Sequence, residues 1–373
     1  MIRFAKRRSV AIAVALAVSA ASFPAQAADM NGSLSVLGFD PLTGEIGVAV
    51  ASRGPACGNT VPWVQAGVGA IATQGETNPS WGPRGLAMLR EGVPVQRMVD
   101  SLMKSDDGFQ RRQVGALDRK GWPGGYTGAE LVNWSGGMLD SNIAVQGNTL
   151  ASTLVVQAMY DTMKGSGGQP LADRLLGGLV AGTMRGGDWR RPRSAALLIG
   201  RPSPDRPEYA SRYIYLRIDD DPDPLAKLAL LYRDWQASRM VEAHLYYADL
   251  ARKSHADAQA VAEEKRARTL VAEALADSSS RPWVLNAMAW QLARRGTMLD
   301  EAWQAIVRAR KAEPRNTEMT DTAAEIRFRQ GEPAEALALA KEAAGRVPLD
   351  EYLRSRVAFF TEAAKPKPKT KAG

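Results

Sequence analysis

The chain has 373 residues with 45% hydrophobic and 24% charged content, a globular composition long enough for two domains that each bury a core. Its formal charge of +8 sits at the two ends: Arg3, Lys6, Arg7 and Arg8 near the start, and Lys365, Lys367, Lys369 and Lys371 near the finish, which leaves residues 9–364 close to neutral. A folded nucleic-acid binder needs a basic stripe on its body, so nucleic acid is excluded as an expected partner.

Residues 1–27 read as a signal peptide: a basic start to Arg8, an apolar run from Val10 to Ala21, and Ala25-Gln26-Ala27 as a small-x-small cleavage site. A cut before Ala28 and a periplasmic or secreted location are expected. The apolar run is too short to cross a bilayer, and no later segment is apolar enough, so no membrane span is expected. Met30 to Arg53 then reads as a β-hairpin, with Ser33–Gly38 alternating polar and apolar, turn chemistry at Asp40-Pro41-Leu42-Thr43-Gly44, and Ile46–Ala51 as a small-apolar strand buried on both faces. Cys57, the sole cysteine, excludes an internal disulfide and reads as a small buried residue.

Val68–Thr73 predicts another buried strand. Asn78–Pro83 breaks the chain, and helices are expected over Arg84–Glu91 and Pro94–Lys104, the second with Val95, Met98, Val99 and Leu102 at helical spacing. Strands return at Gln113–Leu117, Gly125–Thr127 and Asn142–Val145. Gln146-Gly147-Asn148 interrupts, Ser152–Met163 and Leu171–Ala181 form a second helical pair, and Arg193–Ile199 and Tyr213–Ile218 are strands. This order predicts an α+β domain over residues 28–233, with two sheets between helical layers in a four-layer αββα arrangement. From Leu225 onward alanine-rich helical sequence takes over. Pro314 and Pro348, Ala289 and Ala323, and Ala302 and Ala336 are each 34 apart, the period of tetratricopeptide (TPR) helix pairs. An all-α tetratricopeptide-like domain is expected over 234–362, with units at about 283–316 and 317–350, followed by a Lys/Pro tail at 363–373 that has no apolar surface with which to fold.

The chemistry centres on Ser33. A hydroxyl is a weak nucleophile, but an N-terminal residue carries its own base, because an α-amine titrating at about 7.7–8.0 is partly unprotonated at neutral pH. Release of that amine requires cleavage at Gly32-Ser33; without it, Ser33 simply opens a strand. Gln74, Asn78 and Asn148 are candidate oxyanion donors or substrate contacts, and Asp188 is a candidate orienting group; each is equally suited to capping a loop. His244 and His255 share neither a metal-ligand spacing nor a helix face, and Asp219–Asp223 lacks the glycine and distal glutamate of a calcium loop. No metal or cofactor is expected.

Ser33–Ser52, Val61–Gln74, Asn78–Leu86, Gln146-Gly147-Asn148, Gly186-Gly187-Asp188 with Ser194–Leu198, and Asp219–Pro224 resemble, in order, the motifs of the bacterial domain of unknown function 1028. The resemblance implies kinship with the N-terminal nucleophile (Ntn) hydrolases, their αββα sandwich, and an amide-bond hydrolase ancestry. That family usually has Thr at the position of Ser33, and Gln more often than Arg at the position of Arg193. The hairpin is also similar to that of proteasome β-subunits, which carry an Asp where Ala51 stands and a Lys on the next strand, where Val61–Gln74 is apolar or amide-bearing. Two functions are therefore in competition. One is a secreted Ntn-type hydrolase of a small amide or peptide bond, with Ser33 as nucleophile. The other is a non-catalytic envelope module whose helical repeats bind a partner protein or cell-wall material.

Overall fold

The computed structural model describes residues 32–205 and 211–365. The expected signal peptide, the cut before Ala28 and tail residues 366–373 lie outside them. The chain divides into two compact units after Pro224. The boundary thus falls at the end of the acidic turn and short of residue 233, so the helix over 224–235 belongs almost wholly to the second unit.

The first unit is sheet-rich. Strands β1 (Ser33–Phe39) and β2 (Ile46–Ser52) form the expected hairpin, its turn held by the Asp40 carboxylate accepting from Leu42 N–H at 2.8 Å, with Gly44 at φ 72°. Strands β3 (Pro62–Gln65), β4 (Gly69–Gly75), β5 (Arg112–Asp118) and β6 (Pro123–Thr127) make a four-stranded sheet in that order. The other sheet has six strands in the order β10-β9-β2-β1-β8-β7, with β7 Trp134–Asp140, β8 Ile143–Leu150, β9 Ser194–Gly200 and β10 Arg212–Ile218. All its neighbouring pairs are antiparallel.

The two sheets face each other across a core that includes Leu37, Val48, Val50, Ala70, Ala72 and Leu117. Each sheet carries a helix pair on its other face. Helices α1 (Trp81–Arg90) and α2 (Val95–Lys104) pack on the four-stranded sheet through Ile71, Trp81, Met98 and Val114. Helices α3 (Thr153–Gly165) and α4 (Leu171–Met184) cover the six-stranded sheet, and Gly178 and Gly182 let α4 approach Val36 and Leu34 of β1. Both faces of β1 are therefore buried. Its alternation separates an apolar face under α4 from a polar one, Ser33 and Ser35, that looks into the gap between the sheets.

Three local expectations are corrected. Helix α1 begins at Trp81, not Arg84: Pro83 lies in the first turn, where a missing N–H breaks no helical bond, and the fully buried Trp81 anchors the start. Gln146-Gly147-Asn148 does not interrupt the chain; it lies inside β8, every residue of which is buried. Strand β7 has no counterpart among the expected elements, because Trp-Ser-Gly-Gly-Met-Leu-Asp lacks β-branched residues; pairing with β8 at the sheet edge, through a bulge near Trp134, imposes the strand.

The second unit is helical: α5 (Pro224–Trp235) runs through a π-helical turn at Gln236–Met240 into α6 (Val241–Lys253). It continues with α7 (Asp257–Ala276), α8 (Pro282–Arg295), α9 (Leu299–Ala312), α10 (Thr317–Arg329), α11 (Pro333–Arg346) and α12 (Glu351–Ala363). The alanines that mark the 34-residue period, Ala289, Ala302, Ala323 and Ala336, are all fully buried, where successive helices need a side chain no larger than a methyl group. No helix among the described residues is long and apolar enough to cross a membrane.

Helix α12 is tied to α10 by charge. Arg356 pairs with Asp321 at 2.9 Å and with Glu325 at 2.7 Å, and Tyr352 donates to Asp321 at 2.8 Å. Burial raises the pKa of Glu325, but the hydrogen bonds from Arg329 and Arg356 outweigh it and hold the carboxyl below its ordinary value. The folded state then binds this proton less readily than the unfolded state. The resulting stability is complete above the unfolded carboxylate pKa of about 4.3 and is lost as pH falls through the lower folded value. Arg356→Ala, which leaves Glu325 with Arg329 and Asp321 with Tyr352, is expected to cost about 1.5–3 kcal/mol in urea unfolding of the helical unit at pH 7 and to flatten this acid dependence.

Candidate active site

The polar end of the gap between the sheets is built by register. On the six-stranded sheet Ser33 lies opposite Ser52 on one side and Asn148 on the other, and Ser52 lies opposite Ser194. Residues opposite one another share a face, so β8, β1, β2 and β9 present a row of four short polar side chains. Ser33 is 3% exposed, and its hydroxyl donates to Ser52 Oγ at 2.8 Å. Ser52 Oγ in turn donates to the Gly32 carbonyl oxygen at 3.4 Å and accepts from Gly54 N–H. The same carbonyl accepts from the main-chain N–H of Arg53 at 2.9 Å. Two donors thus converge on the Gly32 carbonyl oxygen, in the peptide group that precedes Ser33.

The opposite sheet supplies Gln74. Its Nε2 donates to the Ser33 carbonyl at 3.2 Å, to Gln113 Oε1 at 2.8 Å and to Asn148 Oδ1 at 3.4 Å, while its Oε1 accepts from Ser35 Oγ at 2.8 Å. Gln146 reaches the other way, donating to Ser35 Oγ and to the Ala72 carbonyl. Gln113 Nε2 donates to Thr127 Oγ1 and to the carbonyls of Gly136 and Gly147. The side chains at this network are neutral, which suits groups buried away from bulk solvent.

Asp188 lies at the rim, against Gly32. It is buried and pairs with Arg190, whose Nε donates to Oδ1 at 2.9 Å and whose Nη2 lies 2.5 Å from Oδ2. Thr149, next to Asn148, has φ 60°. A β-branched residue in that region carries about 1–3 kcal/mol of strain, and such strain concentrates at functional sites. Ser135 Oγ accepts its N–H, and Asn148 Nδ2 donates to its hydroxyl.

Of the residues singled out in the sequence, Ser33, Gln74 and Asn148 come together, and Asp188 abuts the Gly32-Ser33 junction. Asn78 does not join them. Its backbone carbonyl lies beside Thr73, which points to the helix side of β4, and its side chain caps Ser80 N–H and donates to Asp106. Asn78 shapes the start of α1. The donors on the Gly32 carbonyl are Ser52 and the Arg53 N–H; sequence reasoning singled out neither, although a hairpin closing at Phe39 and Ile46 already sets Ser52 opposite Ser33. Ser35 and Gln113 were not singled out, and Gln146 only as part of Gln146-Gly147-Asn148, because their pairing across the gap has no local signature. Among the described residues no cluster of His, Cys, Asp and Glu is suited to a metal.

Cys57 is a further nucleophile by chemistry alone. Burial pushes its thiol up to about 12, so it carries essentially no thiolate at neutral pH.

Residues 33–228 match the family of unknown function DUF1028, and the chain belongs to that family. A crystal structure of a protein from Silicibacter pomeroyi, described as a member of the same family, is 30% identical and aligns over 55% of this chain and 89% of its own, with a TM-score of 0.49. No curated protein matches the chain.

Two outcomes follow from this geometry. Gln74→Leu leaves Ser35, Gln113 and the Ser33 carbonyl each short of a buried partner, and is expected to lower stability by about 1–3 kcal/mol or more in urea melts of the sheet-rich unit. Cys57 should resist iodoacetamide in native protein at a pH of about 8 and react fully in urea, as read by intact mass.

Proposed function

We propose that this protein is an exported Ntn-type amide hydrolase, made in an uncut form and activated by cleavage between Gly32 and Ser33. Its first unit is read as an Ntn-hydrolase-like αββα sandwich, and its second as a tetratricopeptide-like arm that engages a protein partner. The substrate is a small amide or peptide bond. The observation that carries the proposal is the pair of donors, Arg53 N–H and Ser52 Oγ, on the Gly32 carbonyl, with the Ser33 hydroxyl bonded to the same Ser52.

The chemistry follows from these contacts. Ser33 Oγ attacks the Gly32 carbonyl carbon, forming a C–O bond as the C–N bond breaks, and the hydroxyl proton passes to the Ser33 nitrogen. Negative charge develops on the Gly32 oxygen in between, where both donors strengthen. Water then hydrolyses the ester, releasing a Gly32 carboxylate and restoring the hydroxyl. The freed Ser33 amine becomes the general base for the next acyl transfer.

A second reading has its own support. Ser33 is almost fully enclosed, and the groups around its hydroxyl are neutral, which suits a non-catalytic envelope module whose helical repeats bind a partner protein or cell-wall material. Intact mass and N-terminal sequencing of the exported protein separate the two. A chain beginning at Ser33 is expected, with cleavage abolished in Ser33→Ala and slowed about 10²-fold in Ser52→Ala. A wild-type chain that begins and stays at Ala28 would rule out the hydrolase.

A further inference from the structure

The uncut chain displays its own acyl group. On the proposed reading, on which this inference rests, cleavage moves the Gly32 acyl group from the nitrogen of Ser33 to its Oγ. The space Gly32 occupies is then the space any substrate acyl group enters as it forms its ester on Ser33.

That space has a wall. Gly32 is buried, and a methyl group built on its α-carbon would stand 1.9 Å from Asp188 Oδ2, 2.7 Å from Cγ and 3.0 Å from Cβ. A carboxylate at the end of a flexible arm would swing aside, but this one is held. Asp188 Oδ1 accepts from the main-chain N–H of Arg190 at 3.0 Å and from its Nε at 2.9 Å, while Oδ2 faces Nη2 at 2.5 Å. The Asp188 side chain is 1% exposed. Its loop is fixed as well. The Asp188 carbonyl accepts from Arg191 N–H at 2.9 Å, the Gly187 carbonyl accepts from Ala151 N–H at 2.9 Å, and Gly186, Gly187 and Arg191 all have positive φ. Displacing the carboxylate would break a buried, bidentate ion pair, whereas the only gain would be room for one methyl group.

We propose that the Asp188–Arg190 pair is a specificity wall that keeps an L side chain out of the acyl site of Ser33, so that glycyl amides, cleaved at the carbonyl of the glycine, are the substrates in preference to amides of L-amino acids that carry a side chain. Asp188 acts here by shape and needs no proton.

Self-cleavage tests this without a substrate. Uncut wild-type protein, Gly32→Ala, and Gly32→Ala combined with Asp188→Gly are followed by intact mass. Gly32→Ala should slow cleavage by about 100-fold, and removal of the wall should restore most of the rate. Should the Asp188→Gly variant fail to fold by circular dichroism, wild-type protein cut at Ser33 is treated with p-nitrophenyl esters of N-acetylglycine and N-acetyl-L-alanine. The expected result is an acyl adduct on Ser33 from the glycyl ester about 100-fold faster than from the alanyl ester. Wild-type cleavage accompanied by an equal rate in Gly32→Ala, or by equal acylation from the two esters, overturns the wall and leaves the nucleophile standing. No cleavage of the wild-type chain overturns both.

Discussion

The sheet-rich unit depends on one constraint: every polar group enclosed between its two sheets must find a partner there. Facing sheets stand about 10 Å apart, and at one end of the gap that distance is filled by Leu37, Val48 and their neighbours. At the other end it is bridged by glutamines. Gln74 alone engages Ser35, Gln113, Asn148 and the Ser33 main chain. A glutamine suits this role because its arm is long, its amide both donates and accepts, and it brings no charge that would have to be desolvated. The chain uses three of them, at 74, 113 and 146, to hold β1, β7 and β8 to the opposite sheet.

This solution shapes the chemistry available to Ser33. With charge kept out of the gap, the hydroxyl is connected to the neighbouring carbonyl through another hydroxyl, Ser52, and through the main-chain N–H of Arg53. At the rim charge does appear, as Asp188 closed onto Arg190. The rim pair is rigid because it is doubly bonded, and the strain at Thr149 is tolerated because the surrounding ladder leaves that residue no other conformation.

The helical unit rests on different physics. Alanines at repeated positions bring the helices close, and the specific tie between α10 and α12 is ionic: Arg356 holds Asp321 and Glu325 on one side of α10. Burying two carboxylates is tolerable there because guanidinium groups are supplied to both.

The sequence by itself determined what depends on near neighbours. The hairpin was legible because Asp40 to Gly44 encodes its turn and Ile46 to Ala51 its doubly buried strand. The helix pairs were legible from apolar spacing, the 34-residue period from its alanines, and the family from ordered motifs. Ser33, Gln74, Asn148 and Asp188 stood out as polar residues beside strand-forming sequence. Tertiary structure decided the remainder. Strand β7 exists because β8 offers it an edge, and Gln146-Gly147-Asn148 is a strand because its polar side chains have partners on facing elements. Asn78, equally conspicuous in the sequence, lies beyond the end of β4 in the turn that leads into α1, where its side chain caps Ser80 and donates to Asp106. That Asp188 closes over Gly32 could not be read at all. The two are far apart along the chain, and only the assembled sheet, with α4 packed upon it, brings a carboxylate against a residue that has no side chain to displace it.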